Sequence, residues 1–120
     1  MRLRDFAGAA EPWTPDSARL ARLVRGVSVC EGKPEALADL RFFIVRQWPR
    51  EAYLGRPMSS GHYLAGLYLD DDRTILIHAA DKYADMTLAH ELAHAAYHDR
   101  KTNPIVESLA VACAAMTLTR

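Results

Sequence analysis

The chain has 120 residues, half of them hydrophobic, with 15 basic and 15 acidic side chains and a formal net charge of zero. That length suits one domain with a real core. The even charge argues against nucleic acid as the main ligand, because phosphate binding needs a basic surface. Cys30 and Cys113 are the only cysteines. They lie too far apart to suggest a disulfide framework and read as reduced thiols of a cytoplasmic protein, with Cys113 in the core.

Residues 1–13 read as a loosely ordered arm. The basic start, Met1-Arg2-Leu3-Arg4, has no apolar run behind it, so no signal peptide is expected. Thr14-Pro15-Asp16 is a cap with proline in the first turn. It opens a helix to about Arg25, whose apolar face comes from Ala18, Leu20, Ala21, Leu23 and Val24. Gly26 and Gly32 bracket a predicted loop with a short extended piece at 27–30. Pro34 starts a second predicted helix, with Leu37, Leu40, Phe43 and Ile44 on one face, stopping before Pro49. This helix pair is only weakly basic and has no clear recognition helix, so it does not read as a DNA-binding unit.

Two antiparallel strands are expected next, over 62–69 and 74–79, joined by the polar turn Asp70-Asp71-Asp72-Arg73. His62 and His78, on these strands, read as surface or internally satisfied histidines rather than ligands. The three aspartates read as a solvated turn.

The segment 87–97 contains good helix formers and neither proline nor glycine. It carries His90-Glu91-Leu92-Ala93-His94, an H-E-x-x-H motif. A shuffled chain of this composition contains that pattern with a probability of roughly 0.01. On a helix, residues four apart lie one above the other, so both imidazoles can address one metal ion. Glu91 stands about 100° further round, where its carboxylate reaches a water on that ion rather than the ion itself. Zinc held by two histidines and a carboxylate keeps a fourth position for water, and a neighbouring carboxylate can take and return its proton.

A third ligand must come from elsewhere. His98 lies another four residues along the same stripe, about 6 Å further at the helical rise of ~1.5 Å per residue. It reads as a flanking or supporting group. Glu107 is the stronger candidate. Asn103-Pro104 signals a helix start, and 105–118 is almost wholly apolar with Glu107 its only charge, as suits a buried helix. A lone carboxylate there needs a partner. That stretch is also too short to span a bilayer.

His90-Glu91-Leu92-Ala93-His94-Ala95-Ala96-Tyr97-His98, followed by Glu107-Ser108-Leu109-Ala110-Val111-Ala112-Cys113-Ala114, resembles the core of the ImmA/IrrE family of bacterial and phage metallopeptidases, itself similar to the gluzincins. The likeness runs from about residue 61 to the C-terminus. It implies that His90, His94 and Glu107 are zinc ligands and that Glu91 is the general base. The chain departs from the family pattern at Val111, where that family usually has Asn or Asp, and at Cys113, where it has Phe. Exposed strands in peptidases of this type bind substrate as an added strand. Resemblance and position together make Ile75, Leu76, Ile77 and His78 the candidates here. Tyr63, Tyr83, Tyr97 and His98 are possible donors to an oxyanion.

The expectation is therefore a single α+β domain of zincin-like type. It would have two N-terminal helices, a short antiparallel sheet, an active-site helix and a C-terminal helix. The expected function is zinc-dependent peptide hydrolysis in the cytoplasm. The substrate would be a protein or peptide, by resemblance a regulatory or repressor protein, with neither nucleic acid nor membrane as partner. The alternative is a protein-binding module of the same fold, with structural zinc or none.

Overall fold

A computed structural model describes residues 2–31, 37–49, 64–97 and 104–119. Over these residues the chain is α+β. It has three α-helices, α1 (Ser17–Glu31), α2 (Asp85–Tyr97) and α3 (Pro104–Thr119). Its four strands are β1 (Ala10–Pro12), β2 (Arg41–Val45), β3 (Gly66–Leu69) and β4 (Thr74–His78). The sheet order is β1-β2-β4-β3. β2 runs parallel to β4, and the two outer pairings are antiparallel.

Strand periodicity sorts the sheet side chains onto two faces. Ile44, Tyr68, Ile75 and Ile77 join Leu23, Val27, Leu88, Leu92, Ala110 and Cys113 in the main core beneath the helices. Val45, Leu67, Leu69 and Leu76 face the other way, where Phe6 and Trp48 cover them. Those two rings meet edge to face, 6.0 Å between centroids, and the Trp48 indole N–H donates to the Leu64 carbonyl.

α2 packs against the sheet, α1 and α3, and its inner residues are small. Ala89, Ala93, Ala95 and Ala96 are fully buried, which lets the sheet, α1 and α3 approach its backbone closely. Asp85, at its first turn, is held by Arg19 and Arg22 of α1. At the other end the Arg73 guanidinium donates to the Ala95 carbonyl at 3.1 Å and to the Tyr68 hydroxyl. A cation there suits the negative end of the helix. On α3 the buried residues Ala110, Cys113, Ala114 and Thr117 form a stripe at helical spacing.

Several expectations need correction. The second predicted helix does not form where it was placed: 41–45 is β2. Phe42-Phe43-Ile44-Val45 is aromatic and β-branched, and a strand covered on both faces carries apolar residues without alternation, which imitates a buried helix. The start predicted at Pro34 lies outside the described residues. Residues 26–31 of the expected loop are instead the last part of α1, and Gly32 lies outside the described residues. Gly26 sits inside that helix because α3 presses on it: a β-carbon there would lie 2.3 Å from Thr117 Cγ2. The N-terminal arm is ordered, with a 3-10 turn at Leu3–Phe6 and then β1, and Phe6 is 1% exposed. α3 is buried on one side only: Ile105 is 70% exposed, and Leu109, Val111, Met116 and Leu118 are also exposed.

The cysteines are not free thiols. Cys30 and Cys113 form a disulfide across α1 and α3, with Cα atoms 5.8 Å apart. Their separation of 83 residues hid a contact that helix packing creates. A cross-linked pair gives no indication of a reducing compartment, contrary to the expectation from two free thiols. Among the described residues, no helix is long and apolar enough to cross a membrane.

Two predictions follow from this framework. A cross-link closing a loop of 83 residues constrains the unfolded chain strongly, so reduction, or Cys30→Ser, should lower stability by about 2–4 kcal/mol. Chemical denaturation with and without dithiothreitol reads this, and superimposable curves would refute the cross-link. The second concerns Asp72, which accepts from Arg2 Nε at 2.9 Å and from the Leu3 backbone N–H at 2.7 Å. The Arg2 guanidinium, then the Leu3 N–H, lower its carboxyl from 3.8 to about 2. A depressed carboxylate stabilises the fold above its unfolded value, and that contribution is lost as pH falls from about 4 to about 2. Asp72→Asn should cost about 1 kcal/mol at neutral pH, little near pH 2 and nothing below it. Equal deficits at both pH values would exclude this role.

Candidate metal centre

His90 and His94 lie one turn apart on α2, on the side facing α3. Glu107 lies in the first turn of α3, three residues before Ala110, in line with that helix's buried stripe. The packing of α3 on α2 therefore carries its carboxylate to both rings. His90 Nε2 is 2.8 Å from Glu107 Oε1, His94 Nε2 is 2.9 Å from Glu107 Oε2, and the two ring nitrogens are 3.1 Å apart. His94 is 9% exposed, His90 23% and Glu107 41%. The cluster is thus buried at His94 and open at the carboxylate.

The donor chemistry fits a cation. Each ring nitrogen carries at most one hydrogen, so two nitrogens and one carboxylate cannot make three good hydrogen bonds among themselves. With both nitrogens protonated, two N–H groups crowd each other across 3.1 Å. A positive ion between them satisfies all three donors at once. Tetrahedral zinc, with bonds of about 2.0–2.1 Å, needs donors ~3.3 Å apart, a few tenths of an ångström beyond these spacings. His90, His94 and Glu107 could hold a metal ion.

Electrostatics already polarises this cluster. Hydrogen bonds from His90, then His94, hold the Glu107 carboxyl far below the usual carboxylate range despite partial burial. For His90, burial works against the charged ring, but the Glu107 hydrogen bond and the charges of Glu91 and Glu107 outweigh it and raise its pKa. Glu107 is thereby kept ionised, the state in which it ligates.

Glu91 points elsewhere, as its place on the helix requires. It is 6% exposed and lies against β3, where a β-carbon at Gly66 would come within 2.9 Å of its Cγ and 3.0 Å of its Oε2. Sequence reasoning passed over Gly66. Its signal was a glycine inside a predicted strand, which marks close approach of another group.

The other candidates separate. Tyr97 is the last residue of α2, partly buried, one turn past His94. Tyr63 and His98, with His62, lie outside the described residues. Tyr83 is 82% exposed before α2. His78 is not in the cluster: its Nδ1 accepts from the Ala80 backbone N–H at 3.1 Å. The strand Ile75-Leu76-Ile77-His78 cannot receive an added strand, because β4 is paired on both sides, by β2 and by β3. Ile75, Leu76 and Ile77 are fully buried. A pattern that marks a strand does not say whether it is central. Among the described residues, β3 is the outermost strand on the side of Glu91.

No family model, curated protein or solved structure matches the chain.

The site makes a direct prediction. Protein dialysed against zinc should retain about one ion per chain, and Glu107→Ala should weaken binding by about a hundredfold or more. Loading should begin to fall above the ordinary imidazole value of ~6.5 as pH drops, because the rings must lose their protons to ligate and the carboxylates raise the pKa of His90. Elemental analysis of the dialysed proteins checks this. Equal zinc in wild type and Glu107→Ala would remove Glu107 from the site.

Proposed function

We propose that this protein is a zinc-dependent metallopeptidase of the ImmA/IrrE kind, acting on a peptide bond, with a regulatory protein such as a repressor as the target class. The observation that carries this reading is the convergence of His90, His94 and Glu107 at ion-binding distances, on a helix whose next residue is a buried carboxylate, Glu91.

A zinc ion held by these three side chains would supply Lewis acidity toward a water and a peptide carbonyl. The rest is the work of the chain. Glu91 accepts a proton from the attacking water at its carboxylate and returns it to the amine nitrogen of the leaving peptide. His94 and Glu107 stay fixed, because α2 and α3 are packed on each other through alanines rather than through long flexible side chains. β3 is the strand that lies against Glu91, and an extended peptide aligned with it would present successive carbonyls beside that carboxylate. The exposed side of Glu107 leaves the approach to the cluster open.

The exposed apolar residues on the outer side of α3, Ile105, Leu109 and Met116 among them, favour a second reading, a protein-binding module in which zinc is structural. Apolar surface of this kind marks contact sites.

Glu91→Gln separates the two readings. It should keep the zinc content of the wild type and lose about 10²–10⁴-fold in turnover, the usual contribution of a positioned proton acceptor. Turnover is measured on a library of fluorogenic peptides. Full activity in a zinc-loaded Glu91→Gln would sink the peptidase mechanism, and a zinc-loaded wild type inert on every peptide would favour the binding module.

A further inference from the structure

Gly66 is the first residue of β3 and is buried. It is paired in register with Ile77. By strand alternation it shares a face with Tyr68, the face beneath the helices. Its backbone gives no reason for a glycine: among the described residues Gly8 is the glycine with positive φ. A strand position of ordinary φ normally favours a side chain, because glycine loses more conformational freedom on folding and packs nothing. What a side chain here would meet first is Glu91. A β-carbon at 66 would lie 2.9 Å from Glu91 Cγ, 3.0 Å from Oε2 and 3.2 Å from Cδ. These are the three nearest atoms to that position, and two of them belong to the carboxylate itself.

We infer that Gly66 is a positioning residue for Glu91: the space left open on the helix-facing side of β3 fixes where the Glu91 carboxylate lies. The side chain is 6% exposed, so it is confined on its remaining sides and has little freedom to step aside. An alanine at 66 moves the carboxylate and leaves the three ligating groups, on the α3 side of α2, where they are. The consequence for turnover rests on the peptidase reading above. The steric relation between the two residues does not.

The experiment is a double-mutant cycle of Gly66→Ala and Glu91→Ala, read first by thermal unfolding and zinc content. If the pair is in contact, their effects are not additive. Gly66→Ala should lower the melting temperature by a few degrees when Glu91 is present, and raise it or leave it unchanged in the Glu91→Ala background, where the strand gains a side chain with its nearest obstacle removed. Should Gly66→Ala alone fail to fold while the double variant folds, the inference is supported as strongly. Additive melting temperatures, or failure of both Gly66→Ala proteins to fold, overturn it.

The second readout is kinetic. In Gly66→Ala, kcat should fall by about tenfold to a hundredfold, the usual effect of misplacing a catalytic group by ~1 Å. KM and zinc affinity should stay within about twofold. Unchanged kcat despite a non-additive cycle overturns the positioning role. If the wild type hydrolyses nothing, the peptidase reading fails, and the unfolding cycle alone decides whether Gly66 places Glu91.

Discussion

The packing of α3 on α2 is the contact on which the site depends. His90 and His94 would sit on one face of α2 in any helix of that sequence, but two imidazoles make only half of a metal centre. The carboxylate arrives with α3, whose buried residues Ala110 and Ala114 are small, as are Ala89, Ala93, Ala95 and Ala96 of α2. Small residues on both sides let the backbones come close. Glu107 continues the buried stripe of α3 by one turn, so seating the stripe seats the carboxylate. Bulkier residues along that seam would hold the helices further apart and take Glu107 out of reach of Nε2 atoms it now meets at 2.8 and 2.9 Å.

Both helices are in turn fixed to the rest of the molecule by different chemistry at different points. α2 is anchored by ions at its ends, Asp85 to Arg19 and Arg22 near the start and Arg73 on the Ala95 carbonyl near the finish. α3 is anchored to α1 by the seating of Thr117 against Gly26 and by the Cys30–Cys113 disulfide. Cys113 lies six residues after Glu107, about 9 Å along the helix axis. The covalent tie therefore limits how far the ligand-bearing turn can drift from α2.

The parts legible in the sequence were those set by local rules. The H-E-x-x-H helix, the start of α3 at Pro104, the β3–β4 turn and the pairing of Glu107 with the histidines all follow from spacing, capping and the cost of an unpaired carboxylate. What escaped was set by tertiary environment. β2 is apolar on both faces because it lies inside the sheet, and its residues also fit a helical template. Gly26 reads as a helix end until Thr117 is known to occupy the place of its β-carbon. The choice of β4 as a substrate strand failed for a similar reason, since a strand's sequence does not say which neighbours it has. The two cysteines were misread because sequence distance says nothing about helix contact.

Gly26 and Gly66 show the same device at two places. Each is a glycine with no backbone need for one, set in an element that glycine weakens, and each lies under a polar side chain of the element packed above it, Thr117 in one case and Glu91 in the other. At Gly26 the result is structural: α1 and α3 close on each other beside the disulfide. At Gly66 the side chain received is a buried carboxylate, and a buried charge is costly wherever it is put. A core filled for stability alone would place a methyl group at 66 and an apolar residue at 91. The chain does neither, one residue from His90, and a carboxylate held in that place is what the proposed peptidase chemistry requires.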